Sequence, residues 1–133
     1  MTIGKAITPY QALVTRVIDG DTIVCSLDLG FNVWVDSQHF RIYGCNAAER
    51  GTPAGDAAAA NLRGLLPPGK SILLTSVKND KFGGRYDAII SFSPTVGMAP
   101  EDLANYLVRN QWAAAWDGTG ERPVPIWPRT VTP

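Results

Sequence analysis

The amino-acid sequence predicts a β-rich α+β fold: a five-stranded barrel with two or three helices closing its openings. Three observations lead to this prediction. Short runs of alternating or β-branched residues are typical of strands, 13 Gly and 10 Pro require many turns, and two helical patterns interrupt the strands. The resulting order, three strands, a helix, two strands and a helix, suits a small barrel. With 133 residues, 45% of them hydrophobic, the chain is expected to form one domain, with its core over about residues 10–116 and a Pro-rich tail over 117–133.

The first third of the chain has the pattern of strands joined by tight turns. Asp-Gly pairs are strong turn formers, and alternation of apolar and polar residues indicates strands with one buried face. The predicted segments are a strand from Gln11 to Val17, a turn at Asp19-Gly20-Asp21, a strand from Thr22 to Cys25, a turn at Asp28-Leu29-Gly30, an alternating stretch at Phe31, Val33 and Val35, and a strand from Phe40 to Tyr43.

The remainder alternates between helical and strand-like patterns. Alanines and leucines from Pro53 to Leu66 recur with helical spacing, and Pro67-Pro68-Gly69 ends the run. A second helix is predicted from Pro100 to about Asn110, with Glu101 and Asp102 in its first turn, where acidic residues are favourable. Between the helices, the predicted strands run from Ser71 to Val77 and from Tyr86 to Phe92, joined by a glycine turn over 79–84.

Composition and charge exclude several classes of function. Twelve basic and twelve acidic residues cancel, so any site for a polyanion must be local. Cys25 and Cys45 are too few for a disulfide scaffold, and His39, the sole histidine, makes a His-based zinc site or a Cys/His nucleophile improbable. No secretory signal or membrane anchor is visible, so a cytoplasmic protein without a membrane association is expected, and nothing indicates a stable protein partner, so a monomer is expected.

Three segments carry residues suited to chemistry. Asp19-Gly20-Asp21-Thr22 can present carboxylates to a hard cation, although a solvated turn would have the same sequence. The stretch from Arg41 to Glu49 supplies a guanidinium, an amide and a carboxylate, although Arg41 could instead form a structural bridge to Asp19 or Asp21. Asp80 to Asp87 carries Arg85 beyond a glycine turn, which by itself is an ordinary β-turn. Together the three segments supply what is needed to hold a cation and a phosphodiester.

The same three segments resemble the staphylococcal-nuclease (thermonuclease) family. The resemblance lies in Val17-Ile18-Asp19-Gly20-Asp21-Thr22-Ile23, in Phe40-Arg41-Ile42 with Glu49 eight residues beyond Arg41, and in Asp80-Lys81-Phe82-Gly83-Gly84-Arg85. These motifs occur in the family's order, and the likeness covers roughly residues 10–116.

This resemblance implies an OB-fold barrel that binds one Ca²⁺ and hydrolyses phosphodiester bonds of DNA and RNA to leave 3′-phosphates. It implies that Asp21 is a metal carboxylate, that Asn46 and the backbone carbonyl of Ala47 complete the protein ligands, and that Asp19 supports the site without binding the metal. Glu49 takes the position of the general base, and Arg41 and Arg85 take those of the two phosphate-binding guanidinium groups.

The chain departs from the family pattern at two places. Asn46 stands where the family usually has Asp, and Ala47 and Ala48 stand where Thr and Pro usually follow. Because Asn supplies an oxygen but no charge, weaker Ca²⁺ binding is expected. The turn before Arg85 is also one Gly longer than in the family, which could shift this residue.

Aromatic residues and the incomplete pattern leave alternatives open. Phe82 and Trp116 are the best candidates for stacking on nucleic-acid bases, although most aromatics serve as core or tail anchors. A Ca²⁺-dependent nuclease is the favoured prediction. A barrel that has lost catalysis but still binds nucleic acid or a partner is the second, and a saccharide-binding barrel is the third.

Overall fold

The computed structural model of the protein describes residues 9–79 and 85–123. Within these residues, eight strands and two helices follow one another along the chain. They are β1 (Tyr10–Asp19), β2 (Thr22–Asp28), β3 (Trp34–Ile42), β4 (Gly44–Ala47), α1 (Pro53–Leu65), β5 (Ser71–Asn79), β6 (Arg85–Phe92), β7 (Glu101–Asp102), α2 (Leu103–Arg109) and β8 (Ala113–Trp116).

Five of the strands form a closed barrel, which confirms the predicted β-rich α+β fold and is consistent with an OB-type barrel. The sheet runs β3-β2-β1-β5-β6, with antiparallel neighbours throughout. A parallel pairing of β3 with β6, in which Arg41 lies opposite Asp87, joins the two ends of this sheet. Closure leaves these strands without free edges. Strand β7 extends β6, and β4 and β8 form a separate antiparallel pair.

Aliphatic side chains fill the barrel and anchor both helices to it. Leu62 of α1 and Leu103 and Leu107 of α2 are almost fully buried in the same cluster as the inward-facing strand residues. Phe92 of β6 packs edge-to-face on Tyr106, with 5.3 Å between the ring centroids. Neither of the two helices in the described part of the chain has the length and apolar character needed to cross a membrane.

Helix α1 begins and ends close to its predicted limits because its capping signals are local. Thr52 is the N-cap, and its hydroxyl accepts a hydrogen bond from the Gly55 amide at 3.0 Å. Pro53 takes the first helical position, where its missing N–H costs no hydrogen bond. The Leu66 amide donates the last helical bond to Leu62, and Pro67 follows.

Helix α2 is shorter than predicted: it starts at Leu103 instead of Pro100 and ends at Arg109. Asp102 is its N-cap and accepts a hydrogen bond from the Ala104 amide at 2.8 Å. Glu101 and Asp102 therefore precede the helix, and they pair as β7 with Phe92 and Ser91 of β6. The acidic pair predicted for the first helical turn is thus a strand end whose second residue caps the helix.

The alternating stretch predicted at Phe31, Val33 and Val35 is mostly a turn. Val33 donates a backbone hydrogen bond to Gly30 and accepts one from Leu29, so the chain reverses before β3 begins at Trp34. Phe31 has a φ of 55° and is fully exposed. Only Val35 of the three belongs to a strand. The pairing of β4 with β8 was not predicted, because each strand has only four residues.

Candidate functional site

A pocket of about 660 Å³ opens on the barrel where the β1–β2 turn, the β3–β4 connection and the start of α1 meet. Its charged side chains are three carboxylates and three guanidinium groups, so its formal charge is balanced. The lining residues are Asp19, Asp21, Thr22, Arg41, Asn46, Ala47, Ala48, Glu49, Arg50, Thr52, Ala54, Arg122 and Pro123.

The β1–β2 turn brings Asp19 and Asp21 to the pocket. The Asp21 amide donates to Asp19 Oδ1 at 3.1 Å, which is the side-chain-to-backbone bond typical of an Asx turn. Gly20 between them is buried, and a Cβ at this position would lie 2.7 Å from the Cβ atoms of both Ala47 and Ala58. The turn therefore packs directly on β4 and α1, and only glycine fits at its centre.

Asp21 is a buried carboxylate with several donors around it. Its Oδ2 accepts from Arg41 Nη2 at 3.3 Å and from the Ala47 amide at 3.0 Å, and its Oδ1 accepts from the Thr22 hydroxyl at 3.2 Å. Burial raises the pKa of Asp21 from 3.8 to about 6, and the hydrogen bond and negative charge of Asp19 add to this increase. Arg41 and the Ala47 amide act in the opposite direction on this pKa, but they do not offset burial.

Arg41 is buried and its guanidinium contacts three groups of the site. Nη2 donates to Asp21 Oδ2 and, at 3.0 Å, to Asn46 Oδ1, while the guanidinium carbon lies 5.1 Å from the centroid of the Trp116 ring. The bridge between Arg41 and Asp21, which the sequence left open as a structural alternative, is therefore present. It neutralises one carboxylate of the pocket.

Asn46 lies in β4, and both ends of its amide are bonded. Oδ1 accepts from Arg41, and Nδ2 donates to the Pro123 carbonyl at 2.8 Å. The neighbouring Ala47 contributes its amide to Asp21 and pairs with Ala113 of β8. The metal role predicted for the Ala47 carbonyl stays a prediction.

The pocket contains oxygen atoms of the kinds that a hard divalent cation prefers. Asp21 and Asn46 supply the carboxylate and amide oxygens that Ca²⁺ prefers. The Asp19 carboxylate accepts a hydrogen bond from the Asp21 amide. One nitrogen of Arg41 touches both oxygens, so a positive charge already lies between the two predicted ligands. Residues 9–79 and 85–123 contain no cluster of three or more His, Cys, Asp or Glu side chains around a metal position. Any such ion would therefore bind few protein ligands.

Glu49 reaches the pocket on a turn that is fixed through its backbone. The Glu49 carbonyl accepts from the Thr52 hydroxyl at 2.6 Å and from the Thr52 amide at 3.3 Å. Gly55 packs against the same peptide, since a Cβ there would lie 2.5 Å from the Glu49 carbonyl carbon and closer still to the oxygen. The carboxylate is exposed and lines the pocket. A general base must be able to reach a water molecule, and this position meets that requirement.

The remaining predicted site residues are Phe82, Arg85 and Trp116. Phe82 lies outside the described residues. For Arg85 the structure describes the backbone. It pairs with His39 of β3, and His39 lies two residues before Arg41 in the same strand. Trp116 is half-buried, and its ring contacts the guanidinium groups of Arg41 and Arg122. The base-stacking role predicted for Trp116 stays a prediction.

Sequence reasoning missed Arg122 and Pro123, which line the pocket from the other end of the chain. No local signal marks them: they lie in a Pro-rich stretch that predicts irregular chain, 76 and 77 residues beyond Asn46. Thr22, which donates to Asp21, was part of the predicted motif without an assigned role.

The chain matches no known protein-family model, and no curated protein sequence is significantly similar to it. The likeness to the staphylococcal-nuclease family therefore rests on the three sequence motifs, and the activity that it implies is a proposal.

Proposed function

We propose that this protein is a Ca²⁺-dependent nuclease that hydrolyses phosphodiester bonds of DNA, RNA or both. The observation that carries the proposal is the convergence of Asp21, Arg41, Asn46 and Glu49 on one open pocket. They come, in the same order, from the β1–β2 turn, from β3, from β4 and from the turn that precedes α1. A single pocket with hard oxygens, an accessible carboxylate and guanidinium groups is suited to metal-assisted phosphodiester hydrolysis.

Each residue has a role that follows from its surroundings. Asp21 and Asn46 would hold the cation, with Asp19 orienting the turn that carries Asp21. Bound Ca²⁺ would supply positive charge that polarises a phosphoryl oxygen. Glu49 would accept a proton from the attacking water, a contribution that is typically about 10²–10⁴-fold. Arg41, and Arg85 as the resemblance implies, would offset negative charge on the phosphoryl oxygens through paired N–H donors.

The balanced charge of the pocket supports a requirement for a cation. Three guanidinium groups and three carboxylates give a phosphodiester no net electrostatic attraction. A divalent cation would shift the balance toward positive charge. We therefore expect both the binding and the cleavage of nucleic acid to depend on the metal, and both to weaken as salt concentration rises.

The direct test is digestion of heat-denatured DNA and of RNA, in parallel, with Ca²⁺ or with excess chelator. We expect cleavage with Ca²⁺ and intact strands with the chelator. Equal digestion in both conditions would reject the metal role, and no digestion in either would reject the nuclease.

A variant of Glu49 tests the assignment of the base. Glu49→Gln keeps the size of the side chain and should lower the cleavage rate by about 10²-fold or more, with no change in the melting temperature. Glu101→Gln is the matched control: this carboxylate pairs with Arg109 at 2.8 Å and does not line the pocket. Near-wild-type rates in the Glu49 variant would remove this residue as the base.

A second candidate is a nucleic-acid-binding barrel without catalysis. The observation that favours it is the Arg41 nitrogen, which occupies the acceptor oxygens of both Asp21 and Asn46 and so competes with a cation. In this case the protein would bind single-stranded nucleic acid equally well with Ca²⁺ and with a chelator, and would leave the strand intact.

A further inference from the structure

Residues 117–123 return from the end of β8 to the pocket and are held at their start by a compact turn. The Trp116 indole N–H donates to the Thr119 carbonyl at 2.8 Å. Asp117 Oδ1 accepts from the Thr119 amide at 2.9 Å and from its hydroxyl at 2.6 Å. These bonds reverse the chain directly after β8, so that segment 117–123 runs back toward β4.

The far end of the segment is fixed to the pocket itself. The Pro123 carbonyl accepts from Asn46 Nδ2, and the Arg122 guanidinium carbon lies 5.1 Å from the centroid of the Trp116 ring. The Asn46 amide can bond in this way because its nitrogen is a donor, whereas an ionised Asp would place a second acceptor against the Pro123 carbonyl.

Trp116 holds two guanidinium groups at the same site. Arg41 and Arg122 each lie 5.1 Å from its ring centroid, so their central carbons are at most about 10 Å apart. Their charges are in different situations. Arg41 is buried and paired with Asp21, whereas Arg122 is exposed and has no carboxylate of residues 9–79 or 85–123 within ion-pair distance.

We propose that Arg122 is a phosphate-binding residue, which the Trp116 ring and the Pro123–Asn46 bond hold at the pocket to bind the backbone of a nucleic-acid strand. The proposal rests on the proposed function for the class of ligand. Contact with an aromatic face leaves the N–H donors of a guanidinium available, and their planar arrangement matches two phosphate oxygens. Arg122 thereby adds to the pocket a positive charge that no carboxylate of the described residues pairs with, beside Arg41, which is paired with Asp21.

The test measures binding of a fluorescently labelled single-stranded oligo(dT), with Ca²⁺ present and in the Glu49→Gln background to prevent cleavage. Affinity is measured by fluorescence anisotropy at several salt concentrations. Arg122→Gln should weaken binding about threefold or more and reduce the slope of log K against log salt by about 0.7, the value for one lost contact to a single strand. Arg122→Lys should restore the slope because it keeps the charge.

The matched control is Arg63→Gln, which removes an exposed guanidinium from the last turn of α1, outside the pocket. It should leave affinity and slope unchanged. Equal binding by the parent and the Arg122→Gln variant would overturn the role of Arg122 while leaving the proposed substrate class intact. Absence of strand binding in the parent would overturn both. If Arg122→Gln reduces the slope of log K against log salt but the parent protein does not cut nucleic acid, the phosphate-binding role of Arg122 is supported and the nuclease is rejected.

Discussion

Gly55 provides a test of how the structure positions Glu49. This glycine is buried in the first turn of α1, against the main chain of Glu49. In Gly55→Ala the new Cβ would lie 2.5 Å from the Glu49 carbonyl carbon and 3.1 Å from the Ala48 carbonyl oxygen. Because both neighbours are backbone, no side-chain rotation can relieve the overlap. The turn that carries Glu49 must move away from α1, or the helix must shift.

The expected magnitude follows from two opposing effects. Alanine is favoured over glycine inside a helix by about 0.5–1 kcal/mol. Overpacking of a tight site costs about 1–3 kcal/mol, and main-chain overlap belongs at the upper end of that range. Gly64 lies in the same helix, and a Cβ at this position would have nothing within 4 Å, so Gly64→Ala should show the favourable effect alone. The propensity gain is common to both variants, so they should differ by the cost of overpacking alone, about 2–3 kcal/mol in the free energy of unfolding.

Thermal denaturation followed by circular dichroism can resolve this difference. For a chain of 133 residues, 1 kcal/mol corresponds to about 3–4 °C in Tm, so the two variants should melt about 6–12 °C apart. Gly55→Ala should also lose cleavage activity, since it displaces the Glu49 turn, whereas Gly64→Ala should retain it. If Gly55→Ala is as stable as Gly64→Ala, α1 does not pack on the Glu49 peptide in the way that these distances require.

Two further predictions concern Asp21 and Thr52. Because the pKa of Asp21 is raised from 3.8 to about 6 on folding, the native state favours the protonated carboxyl, and its contribution to stability is complete below about pH 4 and is lost as pH rises through 6. Asp21→Asn should remove this pH dependence. In urea titrations, the free energy of unfolding of the variant minus that of wild type should therefore rise by up to about 3 kcal/mol from pH 4 to pH 7.5. The same difference at both pH values would contradict the raised pKa. Thr52→Ala removes the N-cap hydroxyl and should cost about 1 kcal/mol, whereas Thr52→Ser should cost little; equal melting temperatures for the two variants would exclude the cap.

Much of the barrel and part of the site could be predicted from sequence because their signals are local. The Asp19-Gly20-Asp21 turn has strong turn residues, and Thr52, Pro53 and the proline pair after Leu66 delimit α1 without help from distant contacts. The inward orientation of Arg41 and its need for an anionic partner also followed from strand alternation. Its pairing with Asp21 satisfies that need.

The rest depended on contacts that a sequence pattern does not carry. Strands β4 and β8 are four residues each, and they pair across a long stretch of sequence, for example Asn46 with Ala114. The start of α2 was placed too early because Glu101 pairs with β6 instead of entering the helix. Arg122 reaches the pocket through the Trp116 ring and the Asn46 amide, and both contacts arise only after the barrel has formed.

The position of Arg41 links the two ligands that the proposed function needs. Its Nη2 donates to Asp21 and Asn46, through the same two residues that would bind a cation, so a metal bound there would take from this buried nitrogen the two acceptors that it has now. A phosphate group in the pocket would give Arg41 new acceptors. A bound phosphate that accepts from Arg41 should therefore raise the affinity of the site for the metal. The metal should raise the affinity for the phosphate by the same factor, because coupling between two binding sites is reciprocal. Calorimetric titration of Ca²⁺ with and without oligo(dT), in the Glu49→Gln background, should therefore show tighter Ca²⁺ binding when the strand is present. Equal affinities would mean that Arg41 stays on Asp21 and serves only as its structural counterion.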